Sequence, residues 1–311
     1  MRLSLHIGLL LSAALLLPFG LGLWTLLAEG EAPTDQRDEV LARMTGRLVS
    51  RDLDGSRRMF SISRELFELH RLPPEDLTGV LRMLYKQDED LSVVVLLDGA
   101  DQAVVQPVYL SAQQSTHAGE SHRMPTDAAD LGRFLKHLPL SSAREGGQAT
   151  SGVYADKRRN AAFVSGALLV PGPQGSRPWV LGFERSLRRI QQIVGAGAVE
   201  PDAQVFIVDG GGRMVVHPEG KRFLEREVVT EHPLVQAFVN ESKIRSLRWM
   251  DGQGRPMQGA WARLATMDWA VVVQRPVAEP RLGLPPWVWL SWGGMAFFLA
   301  LLAWLLARKV A

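Results

Sequence analysis

Tyr109, Tyr154, Asp156, Arg158 and Trp179 are the residues whose types best suit a ligand site. They are polar-tipped or charged, and they fall on or beside apolar, strand-like segments. A small molecule in a mostly apolar pocket is oriented by a few such groups. Arg158 and Arg159 follow Asp156 closely, and guanidinium groups there suit a ligand that carries a carboxylate. A solvated turn accounts for the same arginines, and each of the five residues also suits a purely structural place.

Other chemistries lack their residues. The chain has no cysteine, which removes disulfides, thiolate metal sites and thiol catalysis. His117 and His122 have only Glu120 beside them, whereas a metal needs three or four converging donors. No GxSxG, HExxH or phosphate-loop pattern occurs. Gly210-Gly211-Gly212 follows an apolar strand, but a dinucleotide loop must open a helix, and strand-like alternation follows here. The glycines therefore read as a tight turn, with Asp209 and His217-Pro218 satisfying local backbone groups. Asp98-Gly99-Ala100-Asp101 lacks the further donors of a calcium loop. No enzyme activity, cofactor or metal is expected.

The elements that must position the candidate site lie between two apolar ends. Residues 7–28 and 285–307 carry no charge, and each is long enough to cross a bilayer as a helix. Trp287, Trp289 and Trp292 at one end of the second stretch and Arg308-Lys309 after the other place the C-terminus in the cytoplasm. The first stretch reads as a signal anchor, with a cleaved signal peptide as the alternative; its length exceeds a usual signal core. Of the chain's 35 basic residues only Arg2, Arg308 and Lys309 lie outside 29–284. The exported middle is thus close to neutral, and no nucleic-acid footprint remains.

Within the middle, residues 33–71 read as a long helix, with Gly55 a candidate bend, ended by Pro73-Pro74. A shorter helix covers 75–87. Strands follow at 91–98 and 103–110, then a helix over 127–138, strands at 151–157, 160–170 and 177–185, and a linking helix at 186–195. The second half repeats this order: strands at 205–209 and 213–218, a helix from about Pro233, and strands at 243–250, 256–264 and 268–276. Hairpin, helix-bearing crossing and three strands, twice over, predict two PAS-like antiparallel sheets.

Two spans flanking a long helix and two such lobes resemble the double Cache domain, the extracytoplasmic sensor module of bacterial chemoreceptors and sensor kinases. VFIVDGGGRMVVHPEGKR (205–222) and MDWAVVVQRP (267–276) carry the resemblance most specifically, and 151–190 is similar in layout; together it covers about residues 35–280. The resemblance implies a ligand pocket in the distal lobe. Amino-acid-binding members have an Arg and a Trp on the distal helix; DAADLGRFLKHL (127–138) offers Arg133 and Phe134 but no Trp or Tyr, which speaks against amino-acid recognition. The family normally continues into cytoplasmic output domains, whereas only a short basic stub follows the second span here.

The expected fold is therefore α+β: a long N-terminal helix plus two tandem PAS-like lobes, flanked by two transmembrane helices. The expected segments are an anchor at 1–28, sensor helices at 29–90, a distal lobe at 91–197, a proximal lobe at 198–283 and a second span at 284–311. The expected protein is a two-pass bacterial inner-membrane sensor with a periplasmic middle. It would bind an unknown small-molecule ligand and signal to a separate cytoplasmic or membrane protein. The rival is an envelope assembly factor whose lobes bind a protein. Leu41, Met44 and Leu48 form a narrow stripe that suits a homodimer seam, or packing on the chain's own proximal lobe.

Overall fold

The computed structural model describes residues 34–66, 68–111, 125–197 and 203–277. Both expected spans, together with His117 and His122, lie outside these residues. Among the described residues no helix is long and apolar enough to cross a membrane.

Helix α1 (Thr34–Leu66) runs through its 33 residues without a break, about 50 Å at 1.5 Å per residue. Its buried side is spaced helically: Asp38, Ala42, Thr45, Val49, Leu53 and Phe60. Gly55 does not interrupt it, and Leu53 and Phe60 are buried on either side. Helix α2 (Pro74–Gln87) starts with a proline in its first turn and buries Leu77, Leu81, Leu84 and Tyr85.

The first sheet contains β1 (Leu91–Leu97), β2 (Val108–Tyr109), β3 (Gln148–Thr150), β4 (Tyr154–Asp156), β5 (Ala161–Val170) and β6 (Trp179–Ser186). Its order is β2-β1-β6-β5-β3, with β4 also paired to β5. Helices α3 (Ala128–His137) and α4 (Leu140–Gly146) interrupt the strands, and α5 (Arg188–Gly197) follows them. The second sheet contains β7 (Gln204–Asp209), β8 (Met214–Val216), β9 (Ser246–Met250), β10 (Pro256–Arg263) and β11 (Trp269–Pro276). Its order is β8-β7-β11-β10-β9, with helices α6 (Gly220–Leu224) and α7 (Pro233–Val239) in its crossing. Both sheets thus follow one plan, in which the last strand pairs with the first.

Two details depart from the expected hairpins. The second strand at 103–110 shrinks to Val108–Tyr109 plus a single bridge from Ala103 to Leu97, since Pro107 has no N–H to donate to a ladder. The strand at 151–157 is Tyr154–Asp156 alone. It continues β3 along the same edge of β5, with a break around Gly152.

Burial explains why the strands are so uniformly apolar. Every residue of β1 and of β6 is buried, because helices cover both faces of the first sheet. On one face Phe60 of α1 and the α2 leucines pack on Val94, Leu96, Leu168, Leu181 and Phe183. On the other, Phe134 and Leu138 pack on Val93, Val95, Ala167 and Val180. The second sheet is filled from one side by Ala42, Val49 and Leu53 of α1 and by Leu234, Val235 and Phe238 of α7 from the crossing. Gly46 faces β11, where an added Cβ would make an ordinary 3.7 Å contact with Val271.

Helix α1 is the spine of both halves. Buried Asp38 pairs with Arg275 of β11, and Asp52 pairs with buried Arg185 of β6 at 2.6 Å. Asp88 and Asp90 also bond Arg185. Burial raises the Asp90 carboxyl to about 6; Arg185 opposes the rise, and Asp88 and Asp52 add to it.

Candidate functional site

The densest charged cluster lies on the face of the first sheet that α3 covers. Asp127 caps α3: its side chain accepts from the Asp130 amide, and Asp130 returns a bond to the Asp127 amide. This fixes the first turn of α3 over the β4–β5 turn, where Asp156, Arg158 and Arg159 sit. The tight turn is stabilised by Asp156, whose Oδ1 accepts from the Arg158 and Arg159 amides at 2.9 and 3.3 Å.

Arg159 is the hub. Its Nε donates to Asp156 at 2.8 Å, and its two terminal nitrogens donate to Glu184 at 2.7 and 2.9 Å. Its guanidinium lies 3.7 Å over the Phe163 ring. Glu184 also accepts from the Tyr154 hydroxyl at 2.6 Å, and that hydroxyl lies 2.9 Å from Ser165 Oγ. The His137 ring stacks on Tyr154 at 4.0 Å. Around the rim, Arg158 bridges Asp127 and Asp130, and Arg133 reaches Asp156.

The electrostatics follow from burial and pairing. Burial, then the Glu184 charge and bond, push the Tyr154 phenol far above its usual range, so it stays a donor. Burial pushes the Asp156 carboxyl up, but bonds from Arg159 outweigh that and hold it below the ordinary value. Burial lowers the His137 imidazole. The cluster therefore presents fixed charges of both signs, with Arg133 and Arg158 partly open to solvent. It can orient a ligand bearing both a carboxylate and a cationic group. No group of three or more metal-binding side chains is found among the described residues.

No family model matches the chain, and no curated protein matches it by sequence. Solved structures match it by fold. The sensory domain of the Campylobacter jejuni chemoreceptor Tlp3 with isoleucine bound superposes with a TM-score of 0.56 at 11% identity, over 81% of this chain and 95% of that one. The ligand-binding domain of the Pseudomonas aeruginosa amino-acid chemoreceptor PctC in complex with GABA gives 0.55 at 13%, over 78% and 100%. An extracellular ligand-binding receptor from Desulfohalobium retbaense gives 0.53 at 9%, over 76% of this chain but only 39% of that longer one. The fold is that of the double Cache sensor domains. At these identities the likeness is one of fold.

Within that double Cache fold, Tyr154, Asp156 and Arg158 come together in the cluster. Trp179 does not join them. It is buried on the opposite face of β6, among Phe60, Leu77 and Leu181. Tyr109 shares the cluster's face, since it pairs with Val93, but it stands at the far edge of the sheet on β2. Arg133, on the helix singled out by resemblance, does reach the site, while its neighbour Phe134 is core.

Asp130, Ser165 and Glu184 were not among the expected site residues. Glu184 had a visible signal: it is a carboxylate that directly follows the apolar run Trp179–Phe183 within one strand. In the other lobe, Asp209 accepts from the Gly211 and Arg213 amides and His217 from the Glu219 amide. These are the local backbone roles expected of them, and Gly212 supplies the positive φ of the turn.

Proposed function

We propose that this chain is a membrane-anchored periplasmic sensor that binds a small ligand at the distal cluster of α3, β4, β5 and β6. The observation that carries the reading is the cluster itself, a mixed-charge site roofed by the crossing helix in the fold of known ligand-binding domains. Amino acids suit its chemistry, since Arg158 or Arg133 can take a carboxylate and Asp130 or Asp127 an ammonium group; the neighbouring structures hold isoleucine and GABA. Binding would tilt α3 and α1 between two states, by no more than its differential affinity for them. The change would pass through spans at 7–28 and 285–307 to a separate signalling protein.

The test is calorimetric titration and thermal unfolding of the full chain in detergent micelles against a panel of amino acids, γ-amino acids and small carboxylates. Stabilisation by more than about 1 kcal/mol at ligand concentrations several times Kd supports sensing, and Arg158→Ala should abolish it. Silence across the panel favours the second reading, an assembly factor that binds a protein. One observation speaks for that reading: each charged member of the cluster already has a partner without any ligand.

We further propose a homodimer through α1. Leu41 packs on the chain's own core, but Val40, Met44 and Leu48 are 50%, 58% and 54% exposed at four-residue spacing. Single cysteines at Val40, Met44 and Leu48 should cross-link between copies in membranes, and cysteines at Ala42 and Val49 should not. Equal yields at all five would dismiss the seam.

A further inference from the structure

An arginine-lined groove runs along α1 where it passes β10. Arg43, Gly46, Arg47, Ser50, Arg51, Asp54, Gly55 and Arg58 form one wall, and Ala262, Arg263 and Ala265 the other, around about 510 Å³. Small residues on both walls (Gly46, Ser50, Gly55, Ala262 and Ala265) leave the space, and guanidinium groups line it. Asp54 is the one carboxylate in the lining.

The arginines are spaced like a ladder. Arg43, Arg47 and Arg51 recur every four residues, which places successive groups about 6 Å apart along the helix axis. Arg58 lies two turns further on, so the row extends about 22 Å. Arg263 faces it from the end of β10. Arg43 is paired with Glu39 and Arg263 with Glu241, both at the exposed rim. Among the described residues no ion pair engages Arg47, Arg51 or Arg58. The nearby carboxylate of Asp52 is committed to Arg185 and Arg189.

Like charges at four-residue spacing destabilise a helix. Glu39 engages Arg43 alone, and Arg47 and Arg51 have no ion pair among the described residues, so a bound polyanion would relieve the repulsion that remains along the row. Guanidinium groups recognise phosphate and carboxylate through paired N–H donors, and they do so with less desolvation than ammonium groups. We infer that this groove binds a multivalent oxyanion, a small molecule with two or more phosphate or carboxylate groups about 6 Å apart, held between α1 and β10. The site is separate from the distal cluster and takes a different class of ligand. Because α1 reaches both sheets, such a ligand would tie the spine to the second sheet and bias the element that the sensor reading moves.

The experiment uses the full chain in detergent micelles with three probes: tripolyphosphate, citrate and orthophosphate. Tripolyphosphate and citrate should bind at least about 10-fold more tightly than orthophosphate, and both should weaken as NaCl is raised from about 50 to 300 mM. Arg47→Gln/Arg51→Gln should weaken tripolyphosphate about 10-fold or more, while the distant pair Arg71→Gln/Arg82→Gln should leave it unchanged. Without ligand, the Arg47→Gln/Arg51→Gln variant should melt no lower than the native chain, because both side chains are exposed and repel. Equal binding of all three probes, or an unchanged affinity in that variant, overturns the proposal. So does a lower melting temperature, which would give the arginines a structural role. Binding by a glutamate-rich peptide with none by tripolyphosphate or citrate would also overturn it, in favour of an acidic protein partner. The effect of Arg47→Gln/Arg51→Gln on tripolyphosphate affinity is read whether or not the distal cluster binds a carboxylate ligand.

Discussion

Replacing Arg159 by methionine tests the electrostatics of the distal cluster directly. The methionine stem keeps most of the volume over Phe163 but removes the charge that bonds both oxygens of Glu184. Glu184 is fully buried and would keep only the Tyr154 hydroxyl as a donor. An uncompensated buried carboxylate takes up a proton instead of remaining charged. Protonating a carboxyl of ordinary pKa near 4.3 at pH 7 costs about 1.36 kcal/mol per unit, or about 3.7 kcal/mol, and this caps the Glu184 part of the penalty; Asp156 loses the Nε bond but keeps Arg133 and two backbone amides. The figure falls within the roughly 3–5 kcal/mol measured when buried pairs lose one member. At pH 5 the same cap is about 1 kcal/mol. A buried carboxyl that must be protonated to fold is best tolerated at low pH, so the penalty grows as pH rises. Urea denaturation followed by tryptophan fluorescence should show Arg159→Met less stable than the native chain by about 3–4 kcal/mol at pH 7 and about 1 kcal/mol at pH 5. Arg159→Met/Glu184→Gln should recover most of the loss and its pH dependence, because the amide oxygen still accepts from Tyr154. A penalty that is the same at both pH values, or strictly additive effects in the double variant, would refute the reasoning.

Asp90, with its carboxyl raised to about 6, should contribute stability below pH 4 that is lost as pH rises through 6. Asp90→Asn should flatten that slope and melt higher than the native chain at pH 7, by the equivalent of about 1–3 kcal/mol; a lower melt would mean that its bond to Arg185 outweighs its burial. Trp269, buried at the start of β11, should cost about 3–5 kcal/mol when replaced by alanine, and an unchanged melting temperature would remove it from the core.

The strand order was legible because each half of the chain repeats the same run of elements, and burial then made the strands unmistakable. What escaped was whatever depends on non-local contact. Helices α4 and α6 are 7 and 5 residues long, too short to show a period, and their packing alone decides them. Gly55 reads as a bend in sequence but lies in unbroken helix, since Leu53 and Phe60 anchor either side. In the site, Tyr154, Asp156 and Arg158 could be grouped because they are neighbours on one strand and its turn. Glu184 joins them only through the β5–β6 register that sets it opposite Ser165, and Asp130 only through the cap of α3. Trp179 belongs to the same strand as Glu184, but an odd separation of five residues turns it to the other face.

On the sensor reading proposed above, the clamps on α1 would give a signal its mechanical route. Asp38 holds the helix to β11, and Asp52 holds it to β6; 14 residues and about 21 Å separate them. Interiors this well packed deform by switching between discrete arrangements and not by bending smoothly. A shift of α1 relative to one sheet must therefore strain or break the clamp on that side. Arg185 is the weaker point. Three aspartates share it, one of them with a raised pKa, and its Nη1 is buried without a partner among the described residues. Asp38, by contrast, is fully buried and bonded by both Arg275 and Gln258. Force reaching the spine from the first sheet should therefore act at Arg185 before it disturbs the second sheet. The distal cluster lies on that same strand: Glu184 and Arg185 are adjacent and point to opposite faces. On the proposed reading, a ligand that pulls on Glu184 through Arg159 would act one residue away from the joint that ties the distal sheet to the helix.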